Sequence, residues 1–308
     1  ERTQAVSDVL AAAIAQVSGQ PRPGQARMAH AVSDAFVNKQ HLLVQAGTGT
    51  GKSLGYLVPS VLHADRVVVA TATLSLQHQL LERDVPAMRK AMTASQRMPP
   101  KVAVVKGRSN YACLRKIRDG VAEQDSLFAE DIGTLGSQVV ALREWAETQS
   151  AGGHVGDRES APSHTDVSWR QVSVSARECV GASRCPFGAE CFAEVAREDA
   201  NTASLVITNH ALLAIDAIEG VPMLPAYDAV VIDEAHGLVS RVTQAATDEL
   251  DPIGIERAVK QARPHLDDES QADLLEDAAE TLRDVLTRVE SGTIRSDNES
   301  VLNALQLV

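Results

Sequence analysis

The sequence predicts an α/β fold, a largely parallel sheet covered by helices on both faces. Short β-branched runs recur with helical stretches between them, and a glycine-rich loop separates an apolar run from a helix. No apolar run is long enough to cross a bilayer. The 308 residues are 44% hydrophobic and 23% charged, as in ordinary globular chains, and suffice for about two domains. Aromatic residues make up only 3%, so aliphatic side chains and alanine must build the core.

Residues 1–20, ERTQAVSDVLAAAIAQVSGQ, carry apolar positions at helical spacing without a basic start or a long apolar centre. They predict a surface helix and not a signal peptide. PRPGQ (21–25) breaks the pattern before a second helix that runs to about Asn38. HLLVQA (41–46) is the first strand candidate, followed by a glycine loop and a helix to about His63. RVVVATA (66–72), KVAVVKG (101–107), SLVITNH (204–210) and AVVIDEAH (229–236) are the next four strand candidates. Thr73 is placed to cap the helix LSLQHQLLERD. Between the third and fourth of these five lie residues 107–203, which do not fit the alternation and predict an insertion. Within it, SAGGHVGDRESAPSHTD (150–166) predicts a mobile loop.

The loop AGTGTGKS comprises Ala46, Gly47, Thr48, Gly49, Thr50, Gly51, Lys52 and Ser53. Its glycines let backbone N–H groups turn inward around phosphate oxygens, and the following helix adds its N-terminal dipole. Lys52 is expected to reach the β- and γ-phosphates of a nucleoside triphosphate, and Ser53 to ligate Mg2+. Ala46 stands where the strict pattern has glycine, a small departure. In VVIDEAH an apolar strand delivers Asp233 and Glu234 to the sheet's C-terminal edge, where open α/β sheets bind ligands. Asp233 is expected to hold Mg2+, and Glu234 to orient and deprotonate the attacking water.

Together, AxxGxGKS and Asp-Glu-Ala-His resemble the superfamily 2 helicases. That resemblance implies that His236 links nucleotide state to nucleic acid and that Gln25, in RPGQARM, reads adenine. It also implies that Thr71 and Thr73, in TATLSLQHQL, touch the nucleic-acid backbone.

Four cysteines are too few for a disulfide-built secreted scaffold. Cys179, Cys185 and Cys191 are separated by five residues each, and Cys113 precedes them by a long gap. Three thiols so spaced converge only if the backbone curls, which Gly181, Pro186 and Gly188 permit. Zinc sites usually show closely paired ligands, which are missing here. An iron–sulfur cluster tolerates wider spacing, and zinc or unligated thiols remain as alternatives. Arg108, Tyr111, Arg115, Lys116 and Arg118 put positive charge and one ring beside Cys113, the ingredients of a single-strand groove or of a solvated basic face.

GRxNYxC, the three clustered cysteines, VITNHALL and Asp-Glu-Ala-His, in that order over residues 20–240, resemble the DinG branch of the XPD-type iron–sulfur helicases. The resemblance implies a RecA-like ATPase domain (1–106 and 204–240) interrupted by a [4Fe–4S] domain (107–203) on Cys113, Cys179, Cys185 and Cys191. Residues 241–308 would begin a helical arch. Their net charge of −8, within a total of −12, suits a solvent-facing arm better than a DNA groove. The implied activity is 5′→3′ unwinding in DNA repair or replication, with ATP and Mg2+, on single-stranded, forked or displaced-strand DNA. A cytoplasmic monomer is expected. The chain opens without methionine, and no second RecA-like domain or arginine-bearing motif is found in it. The expectation is therefore an N-terminal part that binds nucleotide weakly and unwinds nothing alone. The alternative is a truncated non-motor protein that binds ATP and DNA or senses redox state.

Overall fold

A computed structural model of the chain describes residues 2–47, 49–119, 135–218, 222–263, 266 and 268–308. Helices α1 (Arg2–Gln16), α2 (Pro23–Asn38) and α3 (Lys52–His63) lead into β1 (Val67–Thr71). Next come α4 (Leu74–Gln79), a π-helical turn (Leu80–Asp84), α5 (Val85–Ala94) and β2 (Val102–Val104). Helices α6 (Leu114–Asp119), α7 (Leu135–Ala151), α8 (Asp166–Val172) and α9 (Phe192–Thr202) precede β3 (Leu205–Asn209). Then follow α10 (His210–Ile218), β4 (Ala229–Ile232) and α11 (Leu238–Ala245).

Among the described residues, four strands pair in parallel in the order β2-β3-β1-β4, with Val67 opposite both Leu205 and Ala229. Every residue of β1 is buried, because alternate side chains serve two cores. Val67 and Val69 face Val9, Leu57 and Met88 on α1, α3 and α5. Val68 and Ala70 face Ala200, Leu212 and Leu213 on α9 and α10. The continuous apolar run of RVVVATA is thus the signature of a strand covered on both sides. The N-terminal helix also goes beyond a surface role, since Val6, Val9, Leu10 and Ala13 form part of the first core.

One expected strand does not form. Residues 41–46 are irregular, Leu43 is 96% exposed, and the outer edge of β4 stays open with Val230 exposed. An apolar run permits a buried strand, but only a backbone ladder makes one, and here α2 ends at left-handed Lys39 and the following segment takes no ladder partner.

Residues of the insertion gather around their own cluster: Tyr111, Leu142, Trp169 and Phe192 with smaller neighbours from α6 to α9. Trp169 is 2% exposed, and its indole N–H donates to the Ser109 carbonyl at 2.7 Å. The expected mobile loop at 150–166 is instead docked. Ala112 N–H donates to the Gly156 carbonyl at 2.9 Å, and Tyr111 bridges Asp157. Asp157 and Glu159 reach buried Lys106 at 2.6 and 2.8 Å. The two carboxylates neutralise an amine that is 3% exposed. The part of the insertion at 120–134 lies outside the described residues.

By Cα packing the chain divides into units 1–246 and 247–308. The second comprises α12 (Pro252–Ala262), α13 (Ser270–Arg288) and α14 (Glu299–Leu307) around Ile255, Val259, Ala279, Leu282 and Ala304. Asp251 caps α12 by accepting from Gly254 N–H at 2.9 Å, with Pro252 at the first helical position. No helix among the described residues is long and apolar enough to cross a membrane.

Candidate functional site

The glycine loop closes onto α3 as its residue types dictate. Gly49 and Gly51 adopt φ of +79° and +78°, the left-handed region where a side chain is costly. Thr50 Oγ1 donates to the Gly47 carbonyl at 2.7 Å and tightens the turn. Ala46, Gly47 and Thr50 fall in the loop, Lys52 and Ser53 in the first turn of α3, and Thr48 lies outside the described residues. Gln25, on α2, donates from Nε2 to the Gly51 carbonyl at 2.8 Å, so the expected base reader also braces the loop. Beside it lies a pocket of about 220 Å³, lined by Arg22, Gln25, Gly51, Ser53, Arg83 and Asp84 among others.

The acidic pair arrives from β4. Asp233 N–H donates to the Ala70 carbonyl at 2.9 Å and extends the β4–β1 pairing by one bond. Glu234 then takes φ +54°, ψ +45°, an unusual left-handed conformation for glutamate that turns the chain at the sheet edge. Its carboxylate pairs directly with Lys52. That hydrogen bond holds the Glu234 carboxyl below the usual glutamate range. His236 is 82% exposed, with Nδ1 3.5 Å from Glu234 Oε2. Lys52, Ser53, Asp233, Glu234 and His236 are therefore brought to one corner of the sheet.

Two further residues hold Asp233, and both were missed in the sequence. Tyr56, 2% exposed, donates its hydroxyl to Asp233 Oδ2 at 3.2 Å. Burial first, then Asp233, pushes this phenol well above the ordinary tyrosine value. His210, 1% exposed, sits with Nε2 2.8 Å from the Asp233 carbonyl oxygen. Burial pulls its imidazole pKa down, toward the neutral form. The signals were present: Tyr56 follows Ser53 by three positions on one helix face, and His210 closes an apolar strand.

The expected nucleic-acid hydroxyls are already engaged. Thr71 is fully buried and donates to the Thr73 carbonyl at 3.1 Å, while exposed Thr73 caps α4 by accepting from Leu76 N–H at 3.2 Å.

Cys113, Cys179, Cys185 and Cys191 are free, half-buried thiols that line one pocket together with Arg108, Tyr111 and Phe187. The backbone curls as the glycines allow: Gly181 has φ +83°, and a Cβ on Gly188 would lie 2.2 Å from the Ala182 carbonyl oxygen. Burial raises the Cys113 thiol above its ordinary value. Among the described residues, no three His, Cys, Asp or Glu side chains are gathered closely enough to hold a metal ion. The fold brings the four sulfurs to a common pocket without gathering them into a ligand set. The donor chemistry, four thiols facing one half-buried space, suits a polynuclear iron–sulfur group, whose metal atoms spread their ligands wider than a single ion does.

The basic residues beside Cys113 behave differently from a groove. Tyr111 is 3% exposed, and its hydroxyl accepts from Lys106 N–H at 3.1 Å, so its ring is a core group and not a stacking platform. Arg108 is pinned to Glu194. Lys116 donates to the Arg170 and Ser173 carbonyls at 2.8 and 3.1 Å. Arg115 faces Asp119 at 3.7 Å, and Arg118 pairs with Glu147 at 2.7 Å. These cations sit in local ion pairs and caps because the insertion supplies its own acids.

A glycine loop between the sheet and α3, facing an Asp-Glu pair at a strand end, defines a P-loop protein of the parallel α/β class. Over 262 residues, 80% of this chain, the sequence is 48% identical to the ATP-dependent helicase DinG of Mycobacterium tuberculosis (strain ATCC 25618 / H37Rv). It is 35% identical over 229 residues, 73% of this chain, to the ATP-dependent DNA helicase YoaA of Escherichia coli (strain K12). The chain belongs to the DinG family of helicases. It spans 39% of the first of these relatives and 34% of the second. A solved structure titled truncated XPD superposes with a TM-score of 0.49 at 15% identity, over 91% of this chain and 76% of that one. No family model matches the chain.

Proposed function

We propose that this chain carries the nucleotide-binding part of an ATP-dependent DNA helicase that moves 5′→3′ and contains a [4Fe–4S] cluster. The observation that carries the reading is the convergence of Lys52, Ser53, Asp233 and Glu234, from two distant segments, at one sheet edge. In this reading the loop's N–H groups and Lys52 bind the triphosphate, and Gln25 and the adjoining pocket take the base. Ser53 and Asp233 would hold Mg2+, which would neutralise charge on the phosphates. Glu234 accepts the proton of the attacking water once Lys52 has turned to the ligand, and His236, exposed beside it, relays nucleotide state to DNA.

The DinG and YoaA names of the relatives support ATP and DNA as ligands. The RecA-like assignment of 1–106 and 204–240, the cluster domain at 107–203 and the arch from 241 belong to the same proposal. Four thiolates would hold the cluster, which would supply a rigid crosslink to an insertion with only a small core of its own. Single-stranded, forked or displaced-strand DNA is the proposed substrate.

Titration of the chain with a fluorescent ATP analogue tests the first half. Wild-type protein should bind it and Lys52→Ala should bind roughly ten- to hundredfold more weakly, the loss of a charge-assisted contact. Equal binding by the two overturns the nucleotide reading. Visible charge-transfer absorbance after anaerobic purification tests the second half. Zinc without that absorbance, found by elemental analysis, overturns the cluster.

A further inference from the structure

We propose that Tyr56 is a positioning residue for the metal-bound nucleotide, pre-aligning the two side chains that would hold Mg2+; the inference rests on the nucleotide reading above. Tyr56 lies three residues after Ser53 on α3, so both project from one face of the helix. Its hydroxyl donates to Asp233 Oδ2 at 3.2 Å, and the Ser53 side chain lies close enough to the same phenol to act on its pKa, drawing it down. One buried oxygen therefore joins the phosphate-loop helix to the end of β4.

The geometry restricts Asp233 from several sides. Oδ1 accepts from Glu234 N–H at 3.1 Å, Oδ2 accepts from Tyr56, and the backbone carbonyl contacts His210 Nε2 at 2.8 Å. An ionised carboxylate has about four acceptor positions, so two stay available to a metal or its water. With both oxygens already held, the plane of the carboxylate is set before any ligand arrives. Preorganised polar groups bind a developing charge without the reorganisation that free ones require. A phenol suits this task. It carries a donor hydroxyl at the end of a rigid ring, and that ring is packed in the core with Leu54 and Leu57.

Tyr56→Phe removes only the hydroxyl and keeps the packed ring. The full chain and this variant are titrated with the fluorescent ATP analogue in EDTA and again in excess Mg2+. Metal-free affinity should be the same for both, whereas the gain in affinity on adding Mg2+ should fall by about fivefold to tenfold in the variant, as for the loss of one ordinary hydrogen bond. A hydroxyl that merely stabilises the fold would leave the Mg2+ gain unchanged, or weaken binding equally with and without metal. Either outcome overturns the proposal. Electron paramagnetic resonance of Mn2+ with ATP gives a second readout: the variant should broaden or weaken the bound signal, and an identical signal overturns the assignment. Wild-type binding no tighter than that of Lys52→Ala would instead overturn the nucleotide reading beneath it.

Discussion

At the phosphate-loop corner, eight consecutive residues supply most of the polar groups, and two more arrive from the end of one strand. The cysteine pocket instead draws its thiols from positions 113, 179, 185 and 191, carried by a segment with its own small core. The first corner satisfies itself through polar groups that meet directly, Lys52 on Glu234 and Tyr56 on Asp233. The second shows four half-buried sulfurs with ion pairs in the same region, Arg108 on Glu194 and Lys106 on Asp157. Gln25, Tyr56 and His210 brace the phosphate corner from helices beside the sheet. The insertion depends on buried charge pairing and, in the proposed reading, on a cluster.

Three measurements sharpen this contrast. The largest effect is expected from Asp157→Asn combined with Glu159→Gln, which leaves Lys106 buried without a charged partner. Removing the partners of a buried charge costs about 3–5 kcal/mol, while Lys106→Met should cost less because no charge is stranded. The chain's two tryptophans, Trp145 and Trp169, both lie in the insertion, so urea unfolding followed by their fluorescence reports this region. If the double variant unfolds at the wild-type midpoint, the insertion does not rely on that cluster.

Gly51→Ala comes next. It would force a left-handed φ of +78° on alanine, at a cost of about 1–2 kcal/mol, and set a Cβ 2.3 Å from Gln25 Nε2. Nucleotide binding should weaken while tryptophan-monitored unfolding of the insertion stays at the wild-type value. Loss of both together would show that the two regions are not independent.

The smallest effect concerns Glu147, whose hydrogen bond from Arg118 lowers its pKa. A depressed carboxyl contributes stability above its unfolded value and loses it as pH falls through the folded one. The side chain is 44% exposed, so screening reduces the contribution to a few tenths of a kcal/mol. The gap in urea midpoint between wild type and Glu147→Gln should be present at neutral pH and vanish in acid. A gap that persists in acid would assign the effect to packing.

Much of this contrast was legible in the sequence, for local reasons. Glycine spacing, the lysine-serine step and an apolar strand ending in two acids each act over a few neighbouring residues, and the structure brings them to one corner. Thr73 capped its helix as its position suggested. Pairing across the chain was less visible. HLLVQA has a strand's composition but takes no ladder partner, and nothing local reveals which edge a strand will find. Tyr111 suggested a stacking ring until its burial placed it in a core. The tract holding Asp157 and Glu159 suggested a mobile loop because the buried amine they neutralise lies about fifty residues earlier. Tyr56 and His210 escaped notice because their roles depend on Asp233, far along the chain.

The contact between Lys52 and Glu234 has a temporal consequence. A single ammonium cannot fully serve a carboxylate and an incoming polyanion at once, so in the proposed reading arrival of the triphosphate itself frees the water-activating group. An idle molecule then carries no unmasked base at that corner, and the order of events is imposed by competition for one cation, with no separate gate required.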